Sequence, residues 1–138
     1  MKDKSSEGAL RGDEVQKYME ALRAAKSLED YFLLLFKAHS RGLPTPEREY
    51  RPIKGRRFRA DFYWPHLKVA VEIEGGTWVK GRHVRGKGYE DDCKKYNLFA
   101  AQGILTLRYT TSMLKRNGLA CIEQVKEVIG ERRRKVPH

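Results

Sequence analysis

Asp61, Glu72 and Glu74 fall within one short stretch, RADFYWPHLKVAVEIEGG, residues 59–76. Carboxylates gathered on one surface repel each other and lose hydration, so such grouping needs a cause. Hard oxygen ligands of this kind suit a divalent cation such as Mg²⁺. The grouping is the more unexpected because the chain carries a formal net charge of +11.

The elements that must position these acids are two strands. In RRFRADFYW, Phe58, Ala60, Phe62 and Trp64 alternate with Arg57, Arg59, Asp61 and Tyr63, which predicts one apolar and one polar face. KVAVEIEG alternates again, with Val69, Val71 and Ile73 set against Ala70, Glu72 and Glu74. A hairpin centred between His66 and Leu67 sets Trp64 against Val69, Phe62 against Val71 and Asp61 against Glu72. Opposed side chains then lie about 4.5–5.5 Å apart at Cβ. Glu74 shares the face of Glu72. Three readings of that face stand side by side. Arg57 and Arg59 neutralise Asp61; or the face is simply solvated, as antiparallel sheets allow; or Asp61 and Glu72 hold a metal ion.

Composition narrows the setting. The chain of 138 residues suits one domain. Its 34% charged residues are mixed in sign, and 40% hydrophobic residues supply a core, so wholesale disorder is not expected. A pI near 9.8 points to a polyanionic partner, nucleic acid above all. Cys93 and Cys121 form no CxxC pair and read as free thiols of a reducing compartment. A zinc site of His66, His83, Cys93 and Cys121 lacks any ligand pair at normal spacing. No apolar run approaches the roughly 18 residues of a membrane span, and the start has no signal-peptide pattern, so a cytoplasmic protein is expected.

Residues 1–12 read as a polar N-terminal tail, 13–130 as a single α/β domain and 131–138 as a basic C-terminal tail. A helix is predicted from Asp13, and a second from Ser27, where SLED resembles a capping box with Asp30 as the acid. GGTWVKGRHVRGKG reads as a basic loop, followed by a helix from about Tyr89 to Gln102 that Gly103 ends. ILTLRY reads as a buried strand, and TSMLKRNGLACIEQVKEVIG as one or two closing helices.

This order of parts resembles the PD-(D/E)XK nuclease superfamily, and within it the small phage and bacterial proteins related to very-short-patch-repair endonucleases. The resemblance is carried by RFRADFYWPHLKVAVEIEGGTW, GRHVRGKGYEDDCKKYN and GILTLRYT, and covers residues 27–115. It implies a mixed sheet of about four strands flanked by helices, in the order ααβββαβα of a restriction-endonuclease-like core. It also implies a metal-dependent DNA endonuclease, structure-specific or nicking, in DNA repair or recombination. Mg²⁺ is the implied cofactor, with Mn²⁺ able to substitute, in a bacterial or phage-infected cell. Junction-resolving work would take a homodimer.

Carried over residue by residue, Asp61 and Glu72 match the metal-binding acids, with the Ile73 carbonyl as a third ligand. The lysine position of the motif holds Glu74 instead. Either Glu74 adds a ligand or the positive charge comes from elsewhere, with Lys95 on the following helix as the candidate. Glu29 matches a first-helix acid that some relatives use, and Glu49 competes with it. His83 could act as acid or base near neutral pH, or hydrogen-bond a phosphate. Asp92, one turn before Lys95 and Tyr96, reads as an ion-pair residue. Arg57, Arg59, Trp78, Lys80, Arg82, Arg85 and Lys87 would contact nucleic acid. The alternative from another class is a catalytically inactive nucleic-acid-binding module on the same scaffold.

Overall fold

The computed structural model describes residues 23–75 and 87–136, with Gly12, Gln16, Met19 and Glu20. Those four and Arg23 are helical, in keeping with the first expected helix, apart from Gly12, which falls in the stretch read as tail. After them come α1 (Leu28–His39), β1 (Glu47–Tyr50), β2 (Ala60–Trp64), β3 (Val69–Glu74), α2 (Lys87–Ala101), β4 (Leu105–Thr110) and α3 (Thr111–Lys135). The chain is thus α/β, with a mixed four-stranded sheet flanked by helices.

α1 begins where a serine can cap it. Ser27 Oγ accepts the Asp30 amide at 3.1 Å, satisfying one of the free N–H groups of the first turn. Asp30 does not complete the capping box; its carboxylate pairs with Arg48 on β1 at 2.9 Å. Phe32, Leu35 and Phe36 recur at helical spacing and are buried.

The sheet runs β1-β2-β3-β4, with the first two pairings antiparallel and β3–β4 parallel. The hairpin register is the expected one, Trp64 against Val69 and Phe62 against Val71. β1 is a strand that no alternation announces, because EREY is an edge strand exposed along its whole length. α2 ends at Gly103, whose φ of 76° is the left-handed conformation that glycine adopts freely. The Ile104 amide then reaches back to the Phe99 carbonyl at 2.9 Å, closing the helix.

Two apolar clusters hold the layers together. On one face, Phe32, Phe36, Leu114, Ile122, Val125 and Ile129 of α1 and α3 pack on Phe62, Trp64, Val69, Val71 and Ile73. Each such side chain contributes about 1.5–3 kcal/mol on burial, so this larger cluster dominates stability. Trp64 Nε1 finds the Pro44 carbonyl at 2.7 Å, as a buried indole must find an acceptor. On the other face, Ala60, Tyr63, Ala70, Phe99 and Ile104 form a smaller cluster that includes α2, with Ile53, Phe58 and Tyr96 against it.

Two expectations are corrected. Phe58 and Ala60 do not share the face of Phe62 and Trp64; they belong to the cluster beneath α2. The stretch 131–138 does not begin as a tail, because α3 continues through Lys135. Its cations find helical partners and carbonyls: Arg134 and Lys135 pair with Glu131, and Arg133 donates to the Gly42 carbonyl at 3.1 Å. The helix is broken only at Asn117, whose backbone leaves helical values.

Candidate metal and nucleic-acid site

The strand alternation fails at one row of the sheet, and the acids lie on that row. Glu49 has a φ of 46°, left-handed backbone that costs a non-glycine residue about 1–2 kcal/mol. Before it, Arg48 sits against α1 through Asp30 and lies 5.7 Å from the Phe62 ring centroid. After it, Tyr50 stacks on Tyr63 at 5.2 Å, on the α2 side. Residues two apart on a strand ordinarily share a face, so the left-handed residue switches it. β2 switches likewise between Ala60 and Phe62, on either side of Asp61. The β1–β2 register leaves Glu49 abreast of Asp61.

Asp61 is half-buried, and its Oδ2 accepts the Ile73 amide at 2.7 Å. The Asp61 amide faces Glu72 Oε2 at 3.4 Å. Continuing the hairpin register by one residue sets these two acids directly opposite, and the reciprocal contacts interlock them.

Glu72 is 5% exposed, because β3 is an inner strand with a helix over each face. That burial rules out the solvated-face reading. Arg57 and Arg59, expected to neutralise Asp61, are exposed and make no ion pair among the described residues; the cation facing Glu72 comes from α2 instead. Lys95 of α2 lies in charge contact with Glu72 Oε1, though that oxygen accepts no aligned hydrogen bond. Lys95 Nζ also lies 5.3 Å and 5.6 Å from the Tyr96 and Phe99 ring centroids. Burial pushes the Glu72 carboxyl up to about 7; Lys95 opposes the rise and neighbouring Asp61 adds to it.

One step along β3, Glu74 makes an ion pair with Arg108 of β4. The Arg108 guanidinium lies 4.1 Å from the Tyr96 ring centroid, and the β3–β4 register pairs Arg108 with Glu72. Burial would lower the Arg108 pKa, but the Glu74 hydrogen bond and the surrounding acids outweigh it and leave it raised. Burial, with the charge of Glu72 next, raises that of Tyr96.

Of the residues singled out by sequence, Asp61, Glu72, Ile73 and Lys95 come together, and Glu74 adjoins them. Glu29 lies in the first turn of α1, at the end of the sheet where β3 finishes. A side chain on Gly75 there would come 2.8 Å from Leu28 Cδ1, so close is the helix to the strand end. Among the described residues no hydrogen bond or ion pair joins Glu29 to Asp61 or Glu72. Lys87 opens α2. Trp78, Lys80, Arg82, His83 and Arg85 lie outside the described residues. Sequence reasoning missed Arg108 and Tyr96. The one available signal was the lone cation in ILTLRY, an otherwise uncharged strand.

Asp61 and Glu72 present opposed hard oxygens, and the buried Glu72 oxygen already faces one cation, Lys95, so its place in the fold suits positive charge. Among the described residues no three His, Cys, Asp or Glu side chains converge as a metal cage. Two carboxylates still fit Mg²⁺, which keeps several waters and binds through one or two carboxylates beside substrate phosphates. No protein-family model matches the chain, and neither the curated proteins nor the solved structures compared with it include a match.

Proposed function

We propose that the chain is a metal-dependent DNA endonuclease whose centre is the Asp61–Glu72 pair. The observation that carries this reading is the interlock of two opposed carboxylates, one of them buried with its pKa raised, in a chain of formal net charge +11. Burying Glu72 beside a second carboxylate carries a desolvation cost that Lys95 offsets only in part. Strain and acids on the same row support a site rather than a scaffold.

The reaction is hydrolysis of a phosphodiester. A water oxygen bonds to phosphorus while the bond to the leaving sugar oxygen breaks; the water gives up a proton to solvent, and the leaving oxygen takes one. When bound, Mg²⁺ or Mn²⁺ supplies Lewis-acid polarisation of the phosphate and a more acidic water. Asp61 and Glu72, with the Ile73 carbonyl, would hold it. Asp61 is oriented by the Ile73 amide, and Glu72 by the Asp61 amide, so neither carboxylate needs to reorganise. Lys95 balances the charge of Glu72, and with a metal held there it would be available to the substrate phosphate. Arg57 and Arg59, exposed beside β2, are free to contact DNA phosphates.

The test is incubation of supercoiled plasmid and branched DNA with Mg²⁺ or Mn²⁺. Wild type is expected to nick or cleave, and Asp61→Ala to bind DNA as well or better without cleaving. Undiminished cleavage by that variant overturns the reading. A second reading, a nucleic-acid-binding module without catalysis, is favoured by one observation: both acids of β3 are already neutralised internally, by Lys95 and Arg108. Binding without cleavage in either metal would establish it.

A further inference from the structure

Hydrolysis at the Asp61–Glu72 pair needs a cation facing the phosphate as negative charge builds on its oxygens. Lys95 is poorly placed to act alone, since its side chain is 16% exposed and its charge already lies against buried Glu72. Arg108 is also paired, with half-buried Glu74, but it reaches the surface. Its side chain is 46% exposed, and it stands on β4 directly abreast of Glu72. Its Nε donates to Glu74 Oε1, while Nη1 and Nη2 make no hydrogen bond among the described residues, although Asp92 adds negative charge nearby. Its plane is held from one side by the Tyr96 ring at 4.1 Å, and Tyr96 is itself packed edge-on against Phe99.

A guanidinium fixed on one edge and one face, with its outer edge free, is a preorganised fork for two oxygens of a phosphate. We infer that Arg108 is a catalytic residue of the proposed nuclease, binding two oxygens of the phosphodiester, and that Glu74 is its positioning partner rather than a metal ligand. This rests on the nuclease reading and gives the acid two residues after Glu72 a role. Glu74 orients the fork through Nε and leaves both Nη groups to the substrate. Tyr96 restricts its swing. Arg108 and Lys95 then approach the phosphate from adjoining elements, β4 and α2.

Two measurements separate the failure of this assignment from the failure of the nuclease reading. The first is single-turnover cleavage of duplex DNA with Mn²⁺ by wild type, Arg108→Ala, Arg108→Lys and Glu74→Gln. The expected result is a loss of about 10²-fold or more for Arg108→Ala, scaled on removal of one charge-stabilising donor. Arg108→Lys keeps the charge and loses the fork, so it recovers only a small part of the rate. Glu74→Gln slows cleavage less than Arg108→Ala and shows the same Mn²⁺-induced rise in Tm as wild type. The second is phenylglyoxal modification of wild type in EDTA, mapped by mass spectrometry with and without duplex DNA. Arg108 is expected to react in the free protein and to be protected by DNA. Cleavage that survives Arg108→Ala, with Arg108 unprotected, overturns the assignment and leaves the nuclease reading intact. Loss of the Mn²⁺ response in Glu74→Gln overturns the role given to Glu74. Protection of Arg108 without cleavage by wild type in any metal supports a phosphate fork there, but removes its catalytic role along with the nuclease reading.

Discussion

Glu72 is a carboxyl group whose surroundings favour the proton. Its folded value of about 7 lies above the 4.5 of the free group. Between those two values the folded chain holds more protons than the unfolded one, so stability falls as pH rises through that window. Below about 4.5 both states are protonated and the penalty is absent. Glu72→Gln, which mimics the neutral form, is therefore expected to be more stable than wild type at pH 8, by on the order of 2 kcal/mol or several degrees in Tm. The gain should shrink to nothing near pH 4.5. Thermal melts of both proteins across that range decide it, and an equal gain at all pH values would show that packing, not ionisation, is responsible. Added Mn²⁺ should raise the Tm of wild type at pH 8 and leave Glu72→Gln nearly unmoved, because removing the carboxylate removes the ligand.

Among the elements, α2 does two tasks at once. Phe99 seals the smaller core, while Lys95 and Tyr96, on the adjoining part of the helix, meet Glu72 and Arg108. Its position depends on a clean stop before β4, and Gly103 provides it with a φ of 76°. Nothing lies within 4 Å of where a Cβ would stand, so Gly103→Ala tests backbone conformation alone. The expected cost is about 1 kcal/mol from the left-handed backbone, with Gly103→Asn recovering part of it. Chemical denaturation of the three proteins measures this. An Ala variant as stable as wild type would mean that the helix end can relax without its glycine. β1 shows the opposite relation between pattern and element. EREY has no apolar alternation, and it is a strand because β2 offers it an edge and Asp30 of α1 holds Arg48.

At the scale of the whole molecule, one run of exposed positive charge directly precedes Asp61 in the chain. Arg51, Lys54, Arg56, Arg57 and Arg59 are all exposed on the segment joining β1 to β2, and Gly55, with a φ of 82°, turns that segment sharply. The segment leads straight into Asp61. On the proposed reading, a cationic arm beside an acidic centre would draw in a polyanion, and a bound metal ion would reverse the local sign at the centre itself. DNA affinity should therefore fall steeply with salt. Replacing both Arg57 and Arg59 by Ala should weaken binding across sequences and reduce the slope of log K against log[salt] by about 2, near one for each phosphate no longer neutralised. Fluorescence anisotropy over a salt series reads this directly, and an unchanged slope would place the DNA elsewhere. Among the described residues no helix is long and apolar enough to cross a membrane.

What could be read from the chain alone follows from periodicity and local chemistry. Alternation in ADFYW and VAVEIE placed the hairpin, and the turn between them set its register, so Asp61 opposite Glu72 was legible. Ser27 and Gly103 marked helix ends because capping acts over a few residues. The rest depended on contacts between distant parts of the chain. Parallel pairing has no turn to fix its register, so the placing of Arg108 beside Glu72 and Glu74 became visible only with β4 in the sheet. The face switch at Glu49 and Asp61 is a backbone distortion shared by two strands, and no alternation of residue types encodes it. The sequence determined which acids meet across the hairpin. Tertiary packing decided which of them is buried and which cation each acid faces, because burial and charge contact are properties of the covering helix and the neighbouring strand.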